Sequence, residues 1–315
     1  MAKRNTASNN LPGVWSAAPT PFTDKMNVDV VAVRRMIDHH LRLGVHGLFV
    51  AGTCGEGPWM TLAQRRKLVQ SAADYARDKD MILAVQVTDN STARVLDNMH
   101  MAKEDGAGMA VIAPPTHFLR PTPARLLDHY MGAIEKSPLP VAIYDQGANA
   151  SISVPDSVMR QIVSLKDVVA VKDSSADPKR LGILIGARRD NPHLALFTGY
   201  EFGCVEYLQA GYDGLLVGGG IFNGYIGRLM VQAVKEGNLA EAEKLQARMS
   251  RINYAIYGGK KLTCWLTGLK EFLVALGVFR TSKSHLKLPM TEQCRRAIKR
   301  VLEKDRDVLC PWEFE

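Results

Sequence analysis

Along residues 14–235, eight apolar runs alternate with segments of helical spacing, and no two consecutive runs are joined by a hairpin turn signal. Strands separated by helices pair in parallel, because a crossover must return the chain to the same end of the sheet. The runs lie at residues 14–18, 45–51, 81–87, 108–113, 139–144, 168–172, 193–197 and 214–217. Start signals mark several of the helices between them. Thr61 stands three residues before Gln64 in capping-box register, and Pro155 suits a first helical turn. Eight such units imply an α/β chain folded as a (β/α)8 TIM barrel. A doubly wound sheet usually has fewer units and, if it binds a dinucleotide, a Gly-x-Gly-x-x-Gly turn after its first strand. Here that strand runs into Pro19-Thr20-Pro21-Phe22. The expected division is a loose tail over residues 1–11, the barrel over 12–236, and a C-terminal helical extension over 237–315. That extension should hold helices at 240–256, 262–276 and 291–309.

Bulk properties exclude several classes. Hydrophobic residues make up 46% of the 315, enough for a sizeable core. The formal net charge of +8 raises nucleic acid as a partner. The densest basic run, Arg295 to Arg300, continues into Glu303, Lys304 and Asp305, as a solvated helix face does, and no nucleic-acid motif accompanies it. Five cysteines at wide spacings, with no Cys-x-x-Cys pair, argue against a disulfide framework or a zinc site and for a reducing compartment. The polar start of the chain lacks the apolar core of a signal peptide, and no apolar run reaches membrane-spanning length. A cytoplasmic location is expected.

In a barrel of this kind the reactive groups belong at the C-terminal ends of the strands. The sixth run, Val168-Val169-Ala170-Val171, ends in Lys172, Asp173, Ser174 and Ser175. Desolvation disfavours the ammonium form of a lysine so placed, and a neutral amine can attack a carbonyl to form a Schiff base. A lysine snorkelling past the strand end would look the same in isolation. The other strand ends decide. The second gives Gly52-Thr53-Cys54-Gly55-Glu56, the fifth Tyr144, and the eighth Gly218-Gly219-Gly220. An amine, a phenol, a hydroxyl and glycine-rich turns therefore fall in one layer.

These motifs resemble those of the dihydrodipicolinate synthase and N-acetylneuraminate lyase family of Schiff-base class I aldolases. The matching residues are Pro19 to Phe22, Gly52 to Glu56, Ile143-Tyr144-Asp145, Val171-Lys172-Asp173 and Phe197-Thr198-Gly199, in family order and spacing over roughly residues 12–300. The resemblance implies that Lys172 condenses with the ketone of pyruvate or another 2-oxo acid. It implies that Tyr144 shuttles protons and that Thr53 passes them on. Gly52, Gly55 and the backbone around Thr53 and Cys54 would hold the substrate carboxylate, and Gly214 and Leu215 are further substrate-binding candidates. No metal or organic cofactor is implied. The expected assembly is a homotetramer built as a dimer of dimers, with a small-molecule 2-oxo acid as substrate and neither nucleic acid nor membrane as partner.

Departures from the family pattern bear on the substrate. Asn149 stands where the synthase has an arginine for a second carboxylate, and Thr116 replaces a tyrosine that enters a neighbouring subunit's proton relay. Cys54 replaces a hydroxyl and is a weaker hydrogen-bond donor. His117 is a candidate for sugar-acid recognition. Uncharged Asn149 and polar Asp145, Gln146 and Ser174 suit hydroxyl groups better than a second carboxylate. The expected activity is therefore a lyase acting on a 2-keto-3-deoxy sugar acid. The alternatives are dihydrodipicolinate synthase, which condenses pyruvate with aspartate semialdehyde, and a catalytically silent relative that binds a 2-oxo acid.

Overall fold

The computed structural model describes Leu11 and residues 13–314. Apart from Leu11, the expected tail over residues 1–11 lies outside the described residues. Eight parallel strands close into a barrel in chain order. They are β1 (Val14–Ala17), β2 (Gly47–Val50), β3 (Ile82–Gln86), β4 (Met109–Ile112), β5 (Val141–Asp145), β6 (Val168–Asp173), β7 (Ala195–Thr198) and β8 (Gly214–Val217). The helices that follow them are α1 (Val30–Arg42), α2 (Leu62–Ala76), α3 (Thr92–Glu104), α4 (Pro123–Ile134), α5 (Asp156–Val163), α6 (Pro178–Ala187), α7 (Cys204–Gln209) and α8 (Gly220–Lys235). Beyond them lie α9 (Leu239–Tyr257), α10 (Trp265–Ala275), α11 (Glu292–Lys304) and α12 (Arg306–Leu309). The expected boundary at 236/237 falls in the turn between α8 and α9. Among the described residues no helix is long and apolar enough to cross a membrane.

The strands read as unbroken apolar runs because both faces are covered, one by helices and one by the barrel's own filling. Trp15 of β1 and Phe197 of β7 are not on neighbouring strands, yet their rings meet at 5.6 Å. They therefore point inward and plug the barrel. Helix starts follow the capping chemistry of the sequence. Thr61 and Gln64 form the reciprocal capping box, and the side chains of Asp29, Ser91, Thr122 and Thr291 each accept a backbone N–H in the first turn.

Three expectations need correction. Helix α8 starts at Gly220, the last of the three glycines expected to form only a turn after the eighth strand. The glycines do not break it: a Cβ on Gly220 would lie 2.8 Å from Ser16 Cβ, so glycine lets the helix start close against β1. The seventh strand begins at Ala195 rather than 193, because Leu194 N–H closes a turn onto Asn191 O at 3.1 Å. The helix expected over 291–309 breaks at Asp305, a buried carboxylate that accepts from Arg248 Nε and from Arg251 Nη1, both at 3.0 Å, on α9.

On α1, His39 and His40 are both buried. His39 Nε2 donates to Ile221 O at 2.8 Å and His40 Nδ1 to Met36 O at 2.7 Å. Burial drives His39 down to about 4, against the Ile221 hydrogen bond, and His40 down to about 3, where His39 adds to the effect. The unfolded chain therefore binds more protons than the native protein as pH falls from about 6.5 towards 4, and native stability drops across that window. Denaturant titrations should show the loss, on the order of 3 kcal/mol per histidine. His39→Gln, which keeps a donor for Ile221, should flatten the profile; an unchanged slope would remove His39 from this role.

Candidate active site

Strands β5 and β6 pair with Tyr144 opposite Lys172 and Asp145 opposite Asp173. Side chains alternate along a strand, so each pair shares a face. The first pair faces the barrel interior. Lys172 Nζ lies 4.3 Å from the centre of the Tyr144 ring and 5.3 Å from that of Phe49. Both side chains are largely buried, with relative exposures of 6% for Lys172 and 9% for Tyr144. Gly199, just past β7, leaves room for the lysine: a Cβ there would lie 2.9 Å from Lys172 Cε. The second pair faces outward. Asp173 accepts from Tyr212 Oη at 2.7 Å and Ser175 Oγ at 2.6 Å. Asp145 accepts from Gly147 N–H at 3.0 Å, with Arg180 Nε 3.2 Å from its other oxygen.

The turn after β2 folds over the same end of the barrel. Ala51 and Glu56, with φ of 54° and 61°, bracket it in the left-handed region that L residues rarely adopt. Gly55 is required by space, since a Cβ would lie 2.8 Å from Ala51 N and 3.0 Å from Ala18 O. Glu56 N–H closes the turn onto Thr53 O at 3.1 Å. Among the described residues, the N–H groups of Thr53 and Cys54 meet no hydrogen-bond acceptor. Successive free amides of this kind can hold a carboxylate. Burial raises the Cys54 thiol to about 12, with Glu201 adding to the rise and Lys172 opposing it. Cys54 is therefore a neutral thiol at ordinary pH.

The other candidates separate. Thr53 joins the site, but its Oγ1 accepts from Gln146 Nε2 at 3.4 Å, and among the described residues no hydrogen bond links it to Tyr144. Asn149 is exposed in the 3-10 turn Gly147–Asn149. Thr116 is exposed and donates to Asn90 Oδ1 at 3.3 Å. It lines a cleft of about 490 Å³ with Gln86 and Arg94, outside the Lys172 cluster. His117 is exposed beside it, its N–H bonded to the same Asn90 oxygen. Gly214 is needed for close packing, since a Cβ would lie 1.7 Å from Gly13 O. Leu215 points outward to α8, where its Cδ1 lies 3.0 Å from the position of a Cβ on Gly227.

Glu201, which follows β7, was not among the candidates. Its carboxylate accepts from Gly219 N–H at 3.0 Å and Tyr257 Oη at 3.1 Å. It stands near Cys54, whose thiol its charge pushes further up. Burial raises its pKa, while the Gly219 and Tyr257 hydrogen bonds and Lys172 oppose the rise. Its place after a strand end, two residues beyond Gly199, was a usable signal. Tyr257 lies on α9, and nothing local in the sequence marks it.

A buried amine against a phenol at the C-terminal mouth of a (β/α)8 barrel, beside a turn with free amides, is an arrangement that can form a Schiff base with a 2-oxo acid. Residues 10–305 match the Dihydrodipicolinate synthetase family, and the chain belongs to it. The family's members are lyases that work through a lysine Schiff base. The N-acetylneuraminate lyases of Escherichia fergusonii and of Escherichia coli K12 are each 28% identical over 304 residues, covering 94% of both chains. The dihydrodipicolinate synthase structure from Bacteroides thetaiotaomicron superposes with a TM-score of 0.84 at 26% identity, covering 94% of this chain and 99% of that one.

The thiol's state is directly checkable. With its pKa near 12, Cys54 should be alkylated by iodoacetamide at pH 8 at least about 1000-fold more slowly than a free cysteine. Peptide mass spectrometry reads this out. Labelling at the free-thiol rate would contradict the buried, neutral thiol.

Proposed function

We propose that the protein is a class I aldolase that cleaves a 2-keto-3-deoxy sugar acid to pyruvate and an aldehyde, with Lys172 as the Schiff-base lysine. The observation that carries this is Lys172 Nζ held 4.3 Å from the Tyr144 ring centre, inside the barrel mouth. The Lys172 amine adds to the C2 ketone and water leaves, giving an iminium. A base removes the C4 hydroxyl proton, the C3–C4 bond breaks, and its electron pair moves into the iminium as an enamine. The aldehyde leaves, C3 takes up a proton, and water hydrolyses the iminium to release pyruvate and the free amine. Tyr144 is the group beside Lys172 suited to carry these protons. The Thr53 and Cys54 amides receive the substrate carboxylate, and a Thr53 relay to Tyr144 would need its hydroxyl to leave Gln146.

Glu201 and Gln146 support a hydroxylated substrate. A carboxylate accepts hydrogen bonds from hydroxyls but repels a second carboxylate. Exposed, uncharged Asn149 offers such a carboxylate no counter-charge. The lyases named above act, by name, on N-acetylneuraminate, itself a sugar acid of this type. The same reading takes the protein as a cytoplasmic homotetramer.

A panel of 2-keto-3-deoxy sugar acids that includes N-acetylneuraminate, assayed for pyruvate release, tests the proposal. At least one should be cleaved. Lys172→Ala should abolish turnover with the fold intact, and Tyr144→Phe should slow it about 100-fold or more. Consumption of pyruvate with aspartate semialdehyde, with no sugar acid cleaved, would favour the synthase instead. Wild-type turnover in Tyr144→Phe would put the proton shuttle elsewhere.

A further inference from the structure

The turn that holds the substrate carboxylate in the reading above is tied to the C-terminal extension by a buried ion pair. Glu56, the last residue of the turn, is fully buried, as is Lys270 of α10. The Lys270 ammonium donates to Glu56 Oε1. Ser284 Oγ and His285 N–H donate to Glu56 Oε2 at 2.9 and 2.6 Å. Lys270 also donates to Lys283 O at 2.8 Å and lies 4.6 Å from the centre of the Phe22 ring. Burial lowers the pKa of Lys270, and the Glu56 carboxylate opposes that shift.

The first strand's loop joins the same network. Thr281 Oγ1 donates to Phe22 O at 2.7 Å, the Phe22 and His285 rings meet edge-on at 5.0 Å, and Thr20 Oγ1 donates to Gly55 O at 2.6 Å. Three segments distant in sequence thus join one network around the Glu56–Lys270 pair. Glu56 sits in the left-handed region, a conformation that persists only where the surroundings enforce it. A buried ion pair is a poor source of stability beside an apolar replacement, but it fixes geometry. Here it fixes the residue whose N–H closes the turn onto Thr53 O.

We infer that Lys270 and Ser284 are positioning residues. By holding Glu56 they hold the Thr53 and Cys54 amides in the arrangement that receives the substrate carboxylate, so the C-terminal extension completes the site inside the barrel. The inference rests on the proposed function and separates from it by experiment. Borohydride trapping is measured against concentration for pyruvate and for methyl pyruvate, whose ester carries no charge, in the wild type, Lys270→Met and Ser284→Ala. Wild-type trapping with pyruvate establishes the Schiff base first; its absence would defeat the proposed function itself.

In Lys270→Met the half-saturating pyruvate concentration should rise about tenfold or more, and in Ser284→Ala by a smaller factor. The trapping rate at saturation and the concentration dependence for methyl pyruvate should stay near wild type. General damage to the fold would weaken both compounds alike, so the ratio between them isolates the carboxylate turn. Ser284→Ala removes one donor without stranding a buried charge and carries the test should Lys270→Met not fold. An unchanged ratio in the folded variants would overturn the inference.

Discussion

In the pairing of β5 with β6, Tyr144 lies across from Lys172 and Asp145 across from Asp173, so one register sorts four polar side chains onto two faces. The amine and phenol go inward, where they meet. The two carboxylates go outward, into the layer between strands and helices. A slip of one residue in either strand would exchange the faces and put an acid where the lysine stands. The outward pair secures the register. Tyr212 and Ser175 bond Asp173, while Gly147 N–H and Arg180 attend Asp145. Burial raises the Asp145 carboxyl and Arg180 opposes it, as expected for an acid held behind a strand by a single cation.

Charge in the barrel mouth is balanced in the same local way. Glu56 meets Lys270, and Glu201 stands within electrostatic reach of Lys172. Buried charges without partners are costly, so an interior with two amines needs two acids. The pairs differ in purpose. Glu56 and Lys270 are bonded to each other and to the chain around them. Glu201 and Lys172 are not joined by a hydrogen bond among those described, which leaves both free to meet a substrate. Cys54 lies between the pairs as a neutral thiol.

The residues legible in the sequence were those whose meaning is local. An apolar run ended by Lys172, another by Tyr144, and a glycine-flanked turn holding Thr53 and Cys54 all carry their position in a few neighbouring letters, once the eightfold alternation sets the barrel. Candidates taken from alignment to a family position fared differently. A 3-10 turn carries Asn149 to the surface, and Asn90 holds Thr116 in an exposed loop. Gly214 and Leu215 are absorbed by packing against Gly13 and α8. Glu201 gains its importance from Tyr257 and Lys270 from Glu56, and no short window of sequence contains either pair. The glycines at 218–220 read only as a turn after the eighth strand, whereas Gly220 opens α8 close against Ser16 of β1.

The central claim is that Lys172 is the amine that bonds to a 2-oxo acid. The most direct measurement treats the protein with pyruvate and borohydride, digests it, and reads the mass of the Lys172 peptide. The account predicts that this peptide gains the mass of a reduced pyruvate adduct and that Lys172→Ala leaves every peptide unmodified. An adduct on a different lysine, or none at all under conditions where the sugar acid is cleaved, would contradict it.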